Sequence, residues 1–178
     1  MSGRKIFMQN DMISLAEHLP EDDLDCYNDW LDKETQKGYN HEFDQTFEEY
    51  CNQEFVPLFD AAIILNKNNK LIGSIGISTE NPLELPDMSI RIFKPYKNQG
   101  FGTTAFKLGA KYCFDILGFE KIYAGCYPDN IKSMRMLEKC GFVPHPGGNI
   151  QGEHYLTGEP VTQLDFVLDK KDFKISEE

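Results

Sequence analysis

Lys97-Asn98-Gln99-Gly100-Phe101-Gly102-Thr103-Thr104 is the stretch on which the reading of this 178-residue chain turns. It falls between a β-rich run, residues 88–93, and a helical pattern in which Phe101, Ala105, Leu108, Tyr112 and Ile116 share one face. The first turn of a helix carries unpaired N–H groups and a partial positive charge, so a strand-to-helix junction suits a phosphate group. Glycines at 100 and 102 let such a ligand approach the backbone with no Cβ in the way. The segment is not a Walker loop, since no Gly-Lys-Ser/Thr follows, and it lacks the third glycine of a dinucleotide fingerprint. Alone, it fits a ligand-free tight turn equally well.

Downstream, Gly118 is placed to cap the helix, residues 121–127 read as a strand, and Asn130 as the N-cap of a short helix stopping at Cys140-Gly141. A Pro/Gly-rich loop, 144–152, precedes a last clear strand at 161–168. Upstream, residues 59–65 and 70–77 form β-rich runs joined by the hairpin signal Asn66-Lys67-Asn68-Asn69, and a polar loop, 79–86, leads to the third run. Residues 21–54 read as two acidic amphipathic helices, carrying Leu24, Tyr27 and Leu31, then Phe43, Phe47 and Tyr50, with Gly38 between them. The whole reads as one mixed α/β domain, residues 1–178, with no linker and with 175–178 as a disordered tail.

The net charge is −11, which argues against a duplex-DNA binder. Its distribution says more. Residues 1–60 hold 15 acids and 4 bases, whereas 91–139 hold nine bases and four acids. An acidic front and a basic middle suit two oppositely charged ligands. Five cysteines, without a C-x-x-C, indicate neither a disulfide framework nor a metal site. With no signal peptide and no stretch of about 20 apolar residues, the expectation is a cytoplasmic protein that touches neither membrane nor nucleic acid.

Asn130-Ile131-Lys132-Ser133, running on through Leu137 to Cys140-Gly141-Phe142, supplies the second motif. The pair of segments resembles the signatures of the GNAT superfamily of acyl-CoA-dependent N-acetyltransferases: a Q/R-x-x-G-x-G/A pyrophosphate loop and an N-x-x-S/A helix ending in Gly-Phe. With Ile90-Arg91-Ile92-Phe93-Lys94-Pro95-Tyr96 leading in, the sequence is most similar to the RimJ/RimL-like branch. The specific motifs cover residues 87–142. The resemblance implies a GNAT fold, a mixed and mostly antiparallel twisted sheet of six or seven strands flanked by about four helices.

It also implies acetyl-CoA as co-substrate, no metal, and direct acetyl transfer to a primary amine. The acceptor would be a polyamine, a peptide N-terminus or another small cationic amine. Gln99, Gly100, Phe101, Gly102, Thr103 and Thr104 would give backbone N–H groups to the pyrophosphate, with Lys97 and Asn98 opening the loop. The pantetheine arm would pair like an extra strand along Ile92 and Phe93, with backbone N–H near Phe93 polarising the thioester. Asn130 would bond the arm from the other side, and Lys132 and Arg135 would meet the phosphates.

The sequence departs from the pattern twice. Lys97 stands where Gln or Arg usually opens the loop, keeping the charge but losing a bidentate fork. Leu137 stands where many members carry a catalytic Tyr, and Leu donates no proton. An alkyl ammonium with a pKa near ~10.4 costs about 4–5 kcal/mol to deprotonate at pH 7, whereas a thiolate with a pKa near ~8.5 is protonated favourably there, so a base matters more than an acid.

Asp87, ahead of the central strand, is the candidate base, acting through a water; Glu153 and His154 are weaker ones. Ser133 matches a position that protonates the sulfur and reads equally as part of a capped helix. Trp30 is expected in the core, and the acids around it, Asp22, Asp23, Asp25, Asp29 and Asp32, would draw a cation toward an acceptor site in residues 1–60. A non-catalytic acyl-CoA-binding sensor is the alternative that Leu137 and Lys97 leave open. Exposed strands and the acidic helices are compatible with a homodimer.

Overall fold

The structure, a computed structural model, describes residues 3–54, 56–79, 81 and 85–174. The tail expected at 175–178 lies outside the described residues. The chain opens with strands β1 (Ile6–Gln9) and β2 (Ile13–Ala16), then helices α1 (Asp23–Leu31), α2 (Lys33–Tyr39) and α3 (Phe47–Cys51). The hairpin β3 (Phe59–Leu65) and β4 (Lys70–Ser78) turns as expected at 66–69, with Asn69 in the left-handed region at φ 56°. There follow β5 (Asp87–Ile92), α4 (Phe101–Asp115), β6 (Lys121–Cys126), α5 (Ile131–Lys139), β7 (Val143–Pro144), β8 (Ile150–Glu153) and β9 (Pro160–Asp169).

One sheet runs β1-β2-β3-β4-β5-β6-β9-β7, with β8 also on β9. Every pairing is antiparallel except β5 with β6. Nine strands among the described residues exceed the six or seven expected, because short pieces join the sheet: β7 has two residues and β1 and β8 four each.

Helix α4 covers one face. It buries Phe101, Ala105, Phe106, Ala110, Cys113 and Phe114. Gly109 lies so close to the sheet that a Cβ there would stand 2.5 Å from Ile75 Cδ1. The expected stripe holds at its start but not its end: Ile116 is 62% exposed, since the helix stops at Asp115 and the left-handed Gly118 turns the chain away.

On the other face lies the acidic front, and here the two expected helices are three. Gly38 sits inside α2. The breaks are at Asp32, whose carboxylate accepts the Glu34 N–H at 2.8 Å, and at Asn40, left-handed at φ 50°. Leu24 and Leu31 are exposed, while Cys26 and Asp29 turn inward, because Asp29 meets Arg91 of β5. Tyr27 instead packs on Phe43, Phe47 and Tyr50.

Candidate active site

The parallel strands β5 and β6 are in register only at Asp87 and Tyr123, beside a Tyr123 N–H to Pro86 C=O bond of 2.8 Å. Beyond that point they part. The Phe93 N–H is committed to the Ile72 carbonyl of β4 at 2.9 Å. Backbone alternation therefore aims the N–H and C=O groups of Ile90 and Ile92 at the gap instead. Phe93 itself is buried with its N–H turned away from the gap, and the N–H near Phe93 that faces the gap is that of Ile92. A cleft of about 780 Å³ occupies the gap, within the range of ligand sites.

At one end of the cleft stands the N-terminus of α4. Asn98 (φ 62°) and Gly100 (φ 84°) both take left-handed backbone, and a Cβ on Gly100 would meet nothing within 4 Å, so the approach is open. Phe101, Gly102 and Thr103 occupy the first turn, whose N–H groups have no partner within the helix. The Thr104 N–H differs from expectation: it closes the first helical bond, to Gly100 C=O at 3.1 Å. Gln99 donates from Nε2 to the Pro95 carbonyl at 3.0 Å and so braces the loop, and the Phe101 ring is buried in the core.

Ile92, Lys97, Asn98, Gly100, Gly102, Thr103, Asn130 and Ser133 line the cleft together. Asn130 caps α5 by accepting the Ser133 N–H at 3.2 Å and also lines the gap. Six basic side chains, among them Lys97, Lys132 and Arg135, stand on the walls against three acids, Glu34, Asp87 and Asp129. That balance suits an anion. The glycine-opened helix terminus and the unpaired strand edge fit the two halves of coenzyme A, its phosphates and its amide-bearing arm.

Asp87 marks the fork and is half-buried. Burial first, then the negative charge of Asp165, push its carboxyl up to about 7. Asp165, 1% exposed, receives the Tyr123 hydroxyl, the Ile150 N–H at 2.6 Å and Gln163 Nε2 at 3.0 Å. Burial and that bond raise the Tyr123 pKa. Sheet register places Asp87, Tyr123 and Asp165 on one face. The sequence reading missed Asp165, although an Asp within the run Gln163-Leu164-Asp165-Phe166-Val167-Leu168 was a visible signal.

The weaker base candidates do not reach the cleft. Glu153 is exposed and its carbonyl accepts from Asn40 Nδ2 at 2.8 Å; His154 Nδ1 accepts the Leu156 N–H at 3.3 Å within a turn. Leu137 is 1% exposed in the core.

The acidic front covers the same sheet face as Asp87. Arg91 lies 4.5 Å from the Trp30 ring centroid and donates to Cys26 C=O at 3.2 Å, Ser74 Oγ at 3.3 Å and Asp29 at 3.4 Å. Burial raises the Asp29 pKa, with Arg91 opposing. Trp30, expected in the core, is instead half-buried among Tyr39, His41 and Phe43, outside the buried core. Of the five acids expected to draw a cation, four hold partners: Asp22 with Arg4, Asp23 with His18, Asp29 with Arg91 and Asp32 with Lys94.

Helix α2 spans the mouth of the cleft. Glu34 meets Lys97 of the glycine loop at 3.4 Å, and Lys37 meets Asp129 beside α5 at 3.1 Å. Tyr39, which the sequence reading did not single out, lines the cleft and donates its hydroxyl to Ile90 C=O at 2.8 Å. Burial pushes its phenol up to about 12.

A forked sheet with a helix N-terminus aimed into the fork is the arrangement of an acyl-coenzyme A acetyltransferase fold. The family model described as Acetyltransferase (GNAT) domain matches residues 12–143, and the chain belongs to that family. It is similar to the probable N-acetyltransferase YjcK of Bacillus subtilis, 32% identical over 82 residues, which is 45% of each protein. It is also similar to the spermidine N(1)-acetyltransferase of Vibrio cholerae, 27% identical over 97 residues, 54% of this chain and 55% of that one. These alignments span about half the length of the curated relatives. In three dimensions it is similar to the Vibrio cholerae spermidine N-acetyltransferase solved with CoA and spermine, with a TM-score of 0.78 and 21% identity, covering 92% of this chain and 98% of that one. Among the described residues no helix is long and apolar enough to cross a membrane, and no group of three or more His, Cys, Asp or Glu side chains could hold a metal ion.

Proposed function

We propose that this protein is an N-acetyltransferase that moves the acetyl group of acetyl-CoA directly to a primary amine. The single observation that carries this is the fork: Asp87 at its apex, a strand edge with no strand beside it along one side and an open helix N-terminus at its mouth. The coenzyme phosphates lie on the N–H groups of Phe101, Gly102 and Thr103, with Lys97, Lys132 and Arg135 nearby. The arm runs along Ile92 toward Asn130 and Ser133, and the Ile92 N–H polarises the thioester carbonyl.

Asp87, titrating near 7, takes a proton from the incoming ammonium. The freed amine attacks the carbonyl carbon, the C–S bond breaks, and the proton the nitrogen sheds as the amide forms passes through water or the Ser133 hydroxyl to the leaving thiolate. No group of the chain becomes acylated. The acceptor is a small cationic amine, a polyamine or a peptide N-terminus. The spermidine acetyltransferase relatives support that class, and Ile90 to Tyr96 support the RimJ/RimL-like branch. A cytoplasmic location and a homodimer go with this reading.

The test is to incubate the protein with acetyl-CoA and a panel of polyamines, peptides and aminoglycosides and follow thiol release. Turnover that is lost in Asp87→Ala supports both reaction and base. Stabilisation by acetyl-CoA without turnover on any amine favours a sensor, and no stabilisation by coenzyme overturns the reading.

A further inference from the structure

We propose that Tyr39 is an acceptor-binding residue: its hydroxyl oxygen accepts an N–H of the amine nucleophile and holds it between Asp87 and the thioester. This rests on the transferase reading above. A neutral amine reacts only when its lone pair points at the carbonyl carbon. One N–H is surrendered to the base, and a second must be held to fix the rotation about the carbon–nitrogen bond. The cleft therefore needs an acceptor other than the base, within reach of it and of the strand edge.

Tyr39 meets each condition. Its hydroxyl hydrogen is spent on the Ile90 carbonyl at 2.8 Å and one lone pair takes the Ser89 hydroxyl, so the second lone pair of the oxygen is what remains for a ligand. Ile90 and Ile92 are neighbours on the same gap-facing edge, which puts this oxygen beside the N–H that polarises the thioester. The phenol also adjoins Ser89, which shares a sheet face with Asp87 two residues away. The base and the second acceptor thus flank one spot.

The ring has little freedom to move. It packs edge-on against Trp30 at 5.1 Å, and Trp30 is in turn held between Arg91 at 4.5 Å and the stacked Phe43 at 5.6 Å. The next residue, Asn40, ties the end of α2 to the connection between β8 and β9, donating to Glu153 C=O at 2.8 Å and accepting the Tyr155 N–H at 3.0 Å. A group braced from both sides is preorganised for orienting a substrate. Because Tyr39 reads the –NH₂ group and nothing beyond it, the same loss applies to every amine the protein accepts.

The decisive variant is Tyr39→Phe, which keeps the ring and removes the oxygen. Steady-state rates with two unlike amines should show kcat/KM for each amine falling about 10–100-fold and by a similar factor. The KM for acetyl-CoA and the stabilisation by coenzyme should stay within twofold, and the Asp87 limb of the pH profile should stay in place. An unchanged kcat/KM for the amines overturns the proposal, and so does a matching loss of coenzyme affinity, which would mean that the hydroxyl only props the strand. If wild-type protein acetylates no amine, this proposal and the transferase reading fall together. If wild type and Tyr39→Phe acetylate equally well, this proposal falls alone.

Discussion

Asp87 and Tyr123 face each other at the one point where β5 and β6 remain in register, and the ligand cleft begins immediately beyond them. The putting of a carboxyl at that apex has a cost. Asp87 is half-buried beside the buried Asp165, and both effects favour its protonated form.

The rate should follow that titration. In a profile of kcat/KM against pH, activity should rise through about 7 as Asp87 loses its proton, and Asp87→Asn should lower it by about 10²–10⁴-fold and remove the limb. Asp165→Asn should move the limb to lower pH, since the repelling charge is gone. Stability has the opposite sign. The folded carboxyl titrates near 7 and the unfolded one near 3.8, so the folded state holds the proton more tightly. Its stabilising contribution is present at low pH and is lost as pH rises through 7. Thermal melts should show Asp87→Asn more stable than wild type by up to about 4 kcal/mol at pH 8, with the difference shrinking below about 1 kcal/mol near pH 4.

Arg91 is the tie between the acidic front and the sheet. Lys in its place cannot reach Asp29, Cys26 C=O and Ser74 Oγ together or cover the Trp30 ring as a planar group. Arg91→Lys leaves a buried carboxylate poorly paired and should cost about 2–4 kcal/mol in a denaturant melt. Wild-type stability in that variant would show that the tie is dispensable.

In the proposed binding mode Glu34 competes with the coenzyme for Lys97. Their 3.4 Å contact is largely exposed, so breaking it costs little. Glu34→Gln should tighten coenzyme binding by about two- to fivefold in calorimetry at low salt, and the gain should shrink as salt screens the charges.

Gly100 opens the phosphate end with a left-handed backbone that other residues rarely adopt. Gly100→Ala should destabilise the fold by about 1–2 kcal/mol and weaken coenzyme binding. An unaltered melting curve would count against the backbone geometry described for this loop.

Much of this was legible in the chain because periodicity and glycine placement act locally. The helix from Phe101, the caps at Asn130 and Gly118 and the 66–69 hairpin all follow from neighbours in sequence. The acidic front was read less well for a physical reason. Leu24 and Leu31 look like the inward stripe of an amphipathic helix, yet Arg91, some sixty residues away, draws Asp29 inward and rotates the helix against its own hydrophobic pattern. Tyr39 was invisible for a similar reason: what makes it notable is a carbonyl 51 residues downstream, which no spacing rule connects to it. Which N–H near Phe93 faces the gap could not be read from the sequence, because it depends on the register with β4: the Phe93 N–H bonds the Ile72 carbonyl, and alternation turns that of Ile92 to the gap.

The fork also divides the molecule mechanically. On one side of it lie β1 to β5 and on the other β6 to β9, and within the sheet one registered pair joins them, while α4, the Lys37–Asp129 ion pair and the Asn40 bonds to Glu153 and Tyr155 bridge them outside it. A ligand arm lying in that seam would act as a splint, a second tie within the sheet itself.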